Sequence, residues 1–310
     1  MKVLSLDHVE WVATLLRKPL LYRTHRRLAN TRFPRGNPCE NFTMQELTTW
    51  PAAARRAITG VFTDIDDTLT TEGAITPDAL QALADLKAAG LQVVAITGRP
   101  VGWSAPFAAS WPVDAIVAEN GAVALVPASS SARLPLAKIY QQDTTTRAAN
   151  YGRMQGVLQR IEREIPGAQR ATDSPGRETD IAIDHSEFAH LNPAQIAAVV
   201  ARMQNEGMHA TVSSIHINGW YGAHNKLEGA RWIVRQLWQR DLDAELAHWV
   251  YVGDSTNDQL MFKAFAHSVG VANIARFVPQ LAHLPRYLTR GERGAGFSEV
   301  AHALLSEKGR

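Results

Sequence analysis

The sequence contains a single cysteine, Cys39, among its 310 residues. One cysteine excludes an internal disulfide and a cysteine cluster for zinc or an iron–sulfur centre, and it fits a reducing compartment. The sequence also lacks a run of about twenty uncharged apolar residues, so we expect no membrane span. Its first residues lack the apolar core of a secretory signal. These absences predict a cytoplasmic protein without a membrane partner.

Neither sign of charge dominates the chain, whose formal net charge is +2, but the basic residues are unevenly spread. Residues 1–43 hold eight Lys or Arg against three Asp or Glu, with little sustained periodicity. Such a segment could contact nucleic acid or an anionic surface. Because no aromatic interleaving or nucleic-acid motif accompanies the charge, we predict instead a disordered or loosely packed basic extension over residues 1–55. We expect no nucleic-acid partner.

An apolar segment that ends in acidic residues is the most informative feature present. Residues 61–69 read VFTDIDDTL, so a buried strand leads directly into Asp64, Asp66 and Asp67. Buried carboxylates are costly without a partner, and Mg²⁺ is a natural partner because it prefers oxygen ligands of this kind. The alternative at this point is an acidic turn or a helix cap, in which Asp67 or Thr68 satisfies backbone amides.

Strand and helix patterns alternate through much of the chain, which predicts a parallel sheet wrapped by helices. Apolar runs mark the strands, and apolar residues at helical spacing mark the helices. The elements predicted in this way are a helix from Pro77, strands at 91–96, 115–118, 249–252 and 268–271, and helices at 227–239 and 258–264.

The character of the sequence changes between residues 126 and 221, where two sections each pair a helix with strands. The elements predicted here are helices near 146–164 and 193–206 and strands near 180–184 and 210–217. We therefore predict a core domain built from residues 56–125 and 222–310, with a second, α+β domain inserted at 126–221.

Four short polar motifs lie at predicted strand ends or at a helix start, where open parallel sheets bind ligands. The motifs are residues 64–68, the tripeptide 97–99 (TGR), Lys226, and residues 253–258 (GDSTND). Taken alone, Thr97 would be a helix cap, Lys226 a solvated surface lysine and Asn257 a turn residue. Together and in this order, the motifs resemble those of the haloacid dehalogenase (HAD) superfamily, over residues 58–305.

The resemblance implies a role for each motif. Asp64 matches the nucleophile that forms an aspartyl-phosphate, and Asp66 matches the general acid and base. Asp64, Asp254 and the main-chain carbonyl of Asp66 match the Mg²⁺ ligands, with Asp258 as a further ligand or a support. The residues that match phosphate-binding groups are Thr97, Gly98, Lys226 and Asn257. Of these, Asn257 is expected to orient Lys226 or the phosphate.

The stretch between the second and third motifs indicates a subgroup. Residues 119–121 (ENG) resemble a signature of HAD subfamily IIB, the Cof-type and sucrose-phosphate phosphatase-like members, whose cap domain is inserted between these motifs. Asp67 replaces the glycine found at this position in many members, and we assign it a supporting role. The resemblance implies an α/β fold with a Rossmann-like parallel sheet core and an inserted α+β cap of type IIB.

In this superfamily the cap selects the leaving group, so polar cap residues are candidate substrate contacts. Asp180, His216 and Asn218 are our candidates. Ser214, His216 and Asn218 alternate with apolar residues, which places them on one face of a predicted strand. That face can meet either the cleft or the solvent. We interpret Arg177 as part of a charged loop.

The function that the resemblance implies is Mg²⁺-dependent hydrolysis of a small phosphorylated metabolite, with a sugar phosphate as the first choice. Two alternatives stay open from the sequence. One is a phosphotransferase or phosphomutase, in which a sugar hydroxyl accepts the phosphoryl group in place of water. The other is a non-catalytic phosphosugar-binding protein.

Overall fold

The computed structural model describes residues 43–127 and 136–308. Most of the predicted extension, residues 1–42, lies outside this range. Within it, the strands are β1 (Gln45–Glu46), β2 (Gly60–Thr63), β3 (Thr70–Thr71), β4 (Ala74–Ile75), β5 (Gln92–Ile96), β6 (Ala115–Ala118), β7 (Val123–Val126), β8 (Ala137–Tyr140), β9 (Gln169–Arg170), β10 (Ile181–Asp184), β11 (His209–Val212), β12 (His216–Trp220), β13 (Trp249–Gly253), β14 (His267–Gly270) and β15 (Tyr287–Leu288).

The α-helices of the same residues include the five predicted above, whose ends differ from the prediction by at most two residues. They are α1 (Ala52–Ala57), α2 (Pro77–Ala88), α3 (Val101–Ala108), α4 (Thr144–Glu164), α5 (Pro193–Asn205), α6 (Lys226–Trp238), α7 (Leu242–Glu245), α8 (Gln259–Ala264) and α9 (Arg293–Leu305). In the described part of the chain, none of these helices combines the length and the apolar character that crossing a membrane requires.

All four polar motifs meet at one edge of a nine-stranded sheet. Its strand order is β1-β15-β14-β13-β2-β5-β6-β7-β8. All neighbouring strands from β1 to β6 in this order are parallel, whereas β7 pairs antiparallel with both β6 and β8. Thr63 at the end of β2 is in register with Val252 of β13 and Ala95 of β5. Residues that follow these three strands therefore meet at the carboxyl edge of the sheet. The predicted parallel α/β core is confirmed.

Helices cover both faces of this sheet, and each face has its own apolar core. Val61 of β2 packs in one cluster with Leu83 of α2 and Phe297 of α9. Its neighbour Phe62 points to the other face and packs with Ile233 of α6. Successive residues of β2 thus serve opposite cores, as expected for a strand that is buried on both faces. This anchoring holds the end of β2 in place.

A second, antiparallel sheet has the order β11-β12-β10-β9 and shares an apolar core with α4 and α5. The strand predicted at 210–217 is divided here into β11 and β12. Ser213 causes the division, because its hydroxyl accepts the amide of His216 at 3.0 Å and closes a tight turn. Ser214 consequently lies in the turn and not on a strand face with His216, which corrects the prediction.

Two segment boundaries differ from the sequence prediction. β1 lies in the predicted extension, yet it pairs with β15 in the large sheet, and the nearby Trp50 is 1% exposed and stacks on Tyr287 at 5.4 Å. β8 lies in the predicted insertion, yet it pairs with β7 at the other end of that sheet. In both cases a partner that is distant in sequence decides where the strand belongs, which local composition does not reveal.

Candidate active site

Asp64 directly follows β2 and is buried, with 4% of its surface exposed. Its Oδ2 lies 2.8 Å from Lys226 Nζ, and its Oδ1 accepts the amide of Ile65 at 2.7 Å. Burial raises the pKa of Asp64 from 3.8 to about 7, although the charge of Lys226 opposes the rise. The anionic form of this carboxylate would therefore gain from further positive charge nearby.

Lys226 is buried between two carboxylates. Besides Asp64, its Nζ contacts Asp258 Oδ1 at 2.7 Å. Asp258 is held in turn by the hydroxyl of Tyr251 and by the amide of Asp254, which donates to Asp258 Oδ2 at 2.9 Å. These neighbouring carboxylates raise the pKa of Lys226, against the effect of burial, which is the largest cause and lowers it. Lys226 is therefore a fixed cation beside the nucleophile candidate.

The start of α6 places Lys226 in the site. Asn225 is the N-cap residue of this helix, and its side chain accepts amides of the first turn. The helix start lies directly against the turn at 119–121, where Gly121 has a φ of +107° and a Cβ atom would lie 2.3 Å from the carbonyl oxygen of Asn225. Gly121 therefore permits both the turn and the close approach of the helix.

Three carboxylates form an acidic cluster at the carboxyl edge. Asp64, Asp254 and Asp258 each offer an oxygen atom, and these atoms lie within 4.8 Å of one another. Burial and the other carboxylates raise the pKa of Asp254 well above its usual value, with Arg276 opposing. Buried carboxylates at this spacing form the hard oxygen donor set that Mg²⁺ prefers, and a bound cation would relieve their repulsion. The residues present therefore fit a Mg²⁺ ion.

The Asp66 carboxylate is directed away from this cluster. Its two oxygen atoms lie 2.9 and 3.1 Å from Arg99 Nε. Arg99 is 4% exposed and also reaches Glu187, with 2.8 Å between Nη2 and Oε1. The tripeptide that contains Arg99 was visible in the sequence, but its partners were not.

Thr97 and Gly98 follow β5 and form a tight turn beside Asp66. The Thr97 hydroxyl is fully buried and accepts the amide of Arg99 at 3.0 Å. The Gly98 carbonyl accepts from Arg177 Nη1 at 3.0 Å. One hydrogen bond within the turn and one from Arg177 therefore stabilise its conformation.

Asn257 makes no hydrogen bond to Lys226 among the described residues, and its alternative role, a contact with the phosphate, stays a prediction. Its Oδ1 accepts the hydroxyl of Ser255 at 2.8 Å, within its own turn. Asp258 makes the contact with Lys226 instead. The Asp258 carboxylate binds the lysine by charge as well as by hydrogen bonding, whereas the amide of Asn257 could bind it only by a hydrogen bond.

The cap candidates are buried where the second sheet meets the core. Asp180, His216 and Asn218 are each at most 2% exposed. Asn218 Nδ2 donates to Asp180 Oδ2 at 3.0 Å and to the Gly98 carbonyl at 3.3 Å. Burial raises the pKa of Asp180 to about 7, against the charge of Arg177. This strand face therefore meets the core and not the solvent.

Arg177 lies in the interior, not in an exposed charged loop as predicted. It is 4% exposed, and its Nη1 lies 2.7 Å from Asp180 Oδ1 while its Nη2 lies 3.0 Å from Asp173 Oδ1. Two carboxylates compensate for the loss of water around the guanidinium. The acids at four residues before and three residues after Arg177 were the signal that could have identified this cluster.

Glu119 is another buried acid that sequence reasoning left without a role. Its carboxylate accepts the amides of Val101, at 3.1 Å, and of Glu178 and Thr179, at 3.0 and 2.5 Å. Burial raises its pKa, against these hydrogen bonds. Glu119 therefore joins the start of α3 to the segment that carries Arg177.

Comparisons with known proteins agree with this architecture. A family model described as haloacid dehalogenase-like hydrolase matches residues 61–155. The search of curated proteins finds no match.

Solved structures of similar fold include three whose names bear on the family. The sucrose-phosphatase from Synechocystis sp. PCC6803 has a TM-score of 0.56 at 16% identity, covering 80% of this chain and 98% of its own. A HAD/Cof-like hydrolase from Plasmodium vivax has a TM-score of 0.58 at 15% identity, with 82% and 98% covered. A sugar phosphatase of HAD subclass IIB has a TM-score of 0.52 at 14% identity, with 80% and 98% covered.

At these identities the likeness concerns the fold, and it extends over both sheets of the chain. The matched family segment contains β2, the acids that follow it, and the turn after β5. The family match over residues 61–155 and the shared fold agree with the resemblance to haloacid dehalogenase-like hydrolases that the four motifs indicate.

Proposed function

We propose that the protein is a Mg²⁺-dependent phosphomonoesterase that hydrolyses a small phosphorylated metabolite, with a sugar phosphate as its substrate, through an aspartyl-phosphate. One observation carries the proposal. The buried Asp64 carboxylate lies 2.8 Å from Lys226 and within 4.8 Å of oxygen atoms of Asp254 and Asp258. A nucleophile, a fixed cation and a donor set for a metal ion thus meet at the carboxyl edge of the sheet.

The chemistry proceeds in two displacements. An Asp64 oxygen attacks phosphorus, the bond to the leaving oxygen breaks, and Asp66 gives its proton to that oxygen. Water then attacks the phosphorus of the aspartyl-phosphate and gives a proton to Asp66, while the bond to Asp64 breaks and phosphate leaves. Lys226 and the turn at Thr97 stabilise the negative charge that develops on the phosphoryl oxygens.

Asp64, Asp254 and Asp258, with the main-chain carbonyl of Asp66, are the residues that would hold Mg²⁺. The ion, when bound, supplies the positive charge that offsets the repulsion between a carboxylate and a phosphate dianion. The raised pKa values of Asp64 and Asp254 support this assignment, because burial and the neighbouring carboxylates disfavour their anionic forms, which a cation would stabilise.

The proposal also divides the work between two parts of the chain. Residues 56–125 and 222–310 perform the phosphoryl chemistry, and the cap at 126–221 recognises the leaving group. Asp180, His216 and Asn218, which are buried where the second sheet meets the core, stay our candidate contacts to a sugar, because carboxylate, imidazole and amide side chains can hydrogen-bond to hydroxyls.

A screen of sugar phosphates, nucleotides and phosphorylated cofactors tests this function, with phosphate release measured in Mg²⁺ and in EDTA. The Asp64→Asn variant should lose roughly 10³-fold or more in kcat, since it removes the nucleophile. The exposed Asp243 offers a matched control, and Asp243→Asn should keep wild-type activity. Phosphate release that survives in Asp64→Asn contradicts the mechanism, and an isomerised sugar phosphate in place of free phosphate indicates a phosphomutase.

A further inference from the structure

Arg99 connects the core to the cap through one buried side chain. On the core side, its Nε lies 2.9 and 3.1 Å from the two oxygens of Asp66. On the cap side, its Nη2 contacts Glu187 Oε1 at 2.8 Å and its Nη1 contacts Asp173 Oδ2 at 3.3 Å. The same guanidinium therefore touches the acid–base candidate and two carboxylates of the cap.

The cap partner of Arg99 is itself fixed. Glu187 Oε2 lies 2.9 Å from His216 Nε2, and His216 lies on β12 in the middle region of the second sheet. The guanidinium also lies over the ring of Trp103, 4.8 Å from its centroid. With each nitrogen atom of the guanidinium in contact with a carboxylate, its planar fork has a defined orientation.

A reciprocal contact lies one residue away. Arg177 of the cap donates to the carbonyl of Gly98 at 3.0 Å. Close by, a Cβ atom on Gly102 would lie 2.7 Å from the Cα of Gly176, so the two backbones meet without side chains between them. The position of the cap is therefore tied to the residues that carry Arg99.

We propose that Arg99 is a positioning residue that orients the Asp66 carboxylate and makes this orientation depend on the contact between core and cap. The proposal rests on the proposed phosphatase function, in which Asp66 gives a proton to the leaving group. When Glu187 and Asp173 hold the outer nitrogen atoms, Nε is fixed against Asp66. When the cap moves away, the arginine loses these partners and Asp66 loses its fixed orientation.

Two substrates with different leaving groups test this role. p-Nitrophenolate leaves without a proton, whereas an alkoxide needs one, so only the second substrate depends on Asp66 as an acid. Because kcat/KM reports only the steps up to departure of the leaving group, Arg99→Met should lower kcat/KM for the best alkyl phosphate of the screen by roughly 100-fold, but lower kcat/KM for p-nitrophenyl phosphate only slightly. In the Asp66→Asn background, Arg99→Met should add less than about a threefold loss, since both changes remove the same contribution.

Glu187→Gln provides a second variant that keeps the size of the side chain, and it should shift the ratio of the two kcat/KM values in the same direction by a smaller factor. Arg170, which pairs with Glu162 on the exposed side of the cap, supplies the control, and Arg170→Met should leave the ratio unchanged. Circular dichroism verifies that each variant is folded.

Equal losses on both substrates, additive losses with Asp66→Asn, or a gain of activity would each overturn the positioning role. These results require an active wild-type enzyme and leave the proposed function intact. A wild-type protein that hydrolyses neither substrate in Mg²⁺ contradicts the proposed function, and the role of Arg99 falls with it.

Discussion

The protein contains two clusters of buried charge, and the balance of positive and negative groups differs between them. The core cluster consists of Asp64, Lys226, Asp254 and Asp258, and the interface cluster consists of Arg99, Asp173, Arg177, Asp180 and Glu187. The core cluster sets three carboxylates against one amine. The interface cluster sets three carboxylates, and with Asp66 on Arg99 a fourth, against two guanidinium groups, with His216 beside Glu187. The core cluster therefore has one cation for three carboxylates, whereas the interface cluster has one for two.

The largest effect is expected when the central cation of either cluster is removed. Lys226→Met and Arg177→Met should each lower the free energy of unfolding by about 3–5 kcal/mol, because each leaves buried carboxylates unpaired. Lys226→Met should also lower kcat by roughly 10²–10³-fold. Urea unfolding with and without Mg²⁺ separates the clusters, since the ion should stabilise Lys226→Met by more than it stabilises the wild type, but Arg177→Met by no more than the wild type. Equal rescue of both variants would contradict the difference in charge balance.

The response to Mg²⁺ should be intermediate in size and confined to the core cluster. At an ion concentration 100 times the dissociation constant, binding should stabilise the folded protein by about 2.7 kcal/mol. Asp254→Asn should remove most of this gain, because it deletes a carboxylate of the donor set. Asp180→Asn is the matched change in the interface cluster and should keep it. Thermal unfolding in Mg²⁺ and in EDTA measures both, and a gain that persists in Asp254→Asn excludes this metal site.

The smallest expected effect is the change in unfolding free energy per pH unit, which comes from the two carboxyls with a pKa of about 7. Burial raises the pKa of Asp64 and Asp180 from 3.8 to about 7, so the folded protein holds these protons more tightly than the unfolded chain does. Their contribution to stability is therefore greatest below pH 3.8 and falls as the pH rises to about 7. Each group adds a slope of at most about 1.4 kcal/mol per pH unit.

Urea unfolding between these pH values separates the two carboxyls. Asp180→Asn should remove the part of the pH dependence of stability that comes from the interface cluster, both in Mg²⁺ and in EDTA. Mg²⁺ should remove the part that comes from Asp64, because the bound ion replaces the proton as the compensating charge. Identical slopes for the wild type and Asp180→Asn in EDTA would show that the interface carboxyl does not titrate in this range.

The parallel core was predictable because its strands are short apolar runs and its polar motifs follow them directly. Asp64, Thr97 and Asp254 come together because parallel strands in register end at one edge, a rule that needs no knowledge of distant contacts. The position of Lys226 was predictable from its place at a helix start. These positions depend on local pattern and on one general property of sheets.

The interface cluster was not predictable in the same way, because its partners are far apart in sequence. Arg99 pairs with Asp66, Asp173 and Glu187, and no local spacing links the four residues. Arg177 was misinterpreted because charged residues in a polar segment are usually exposed. Trp50 was assigned to the predicted extension because the residues before it are basic, and composition does not show that this one aromatic ring is buried. In each case the deciding contact is tertiary.

Gly102 of the core and Gly176 of the cap meet backbone to backbone. A Cβ atom on Gly102 would lie 2.7 Å from the Cα of Gly176, so the two segments approach this closely only because neither carries a side chain. A single added methyl group would act as a wedge between them. Alanine at Gly102 therefore offers a way to part Arg99 from its cap partners without changing a residue of the acidic cluster.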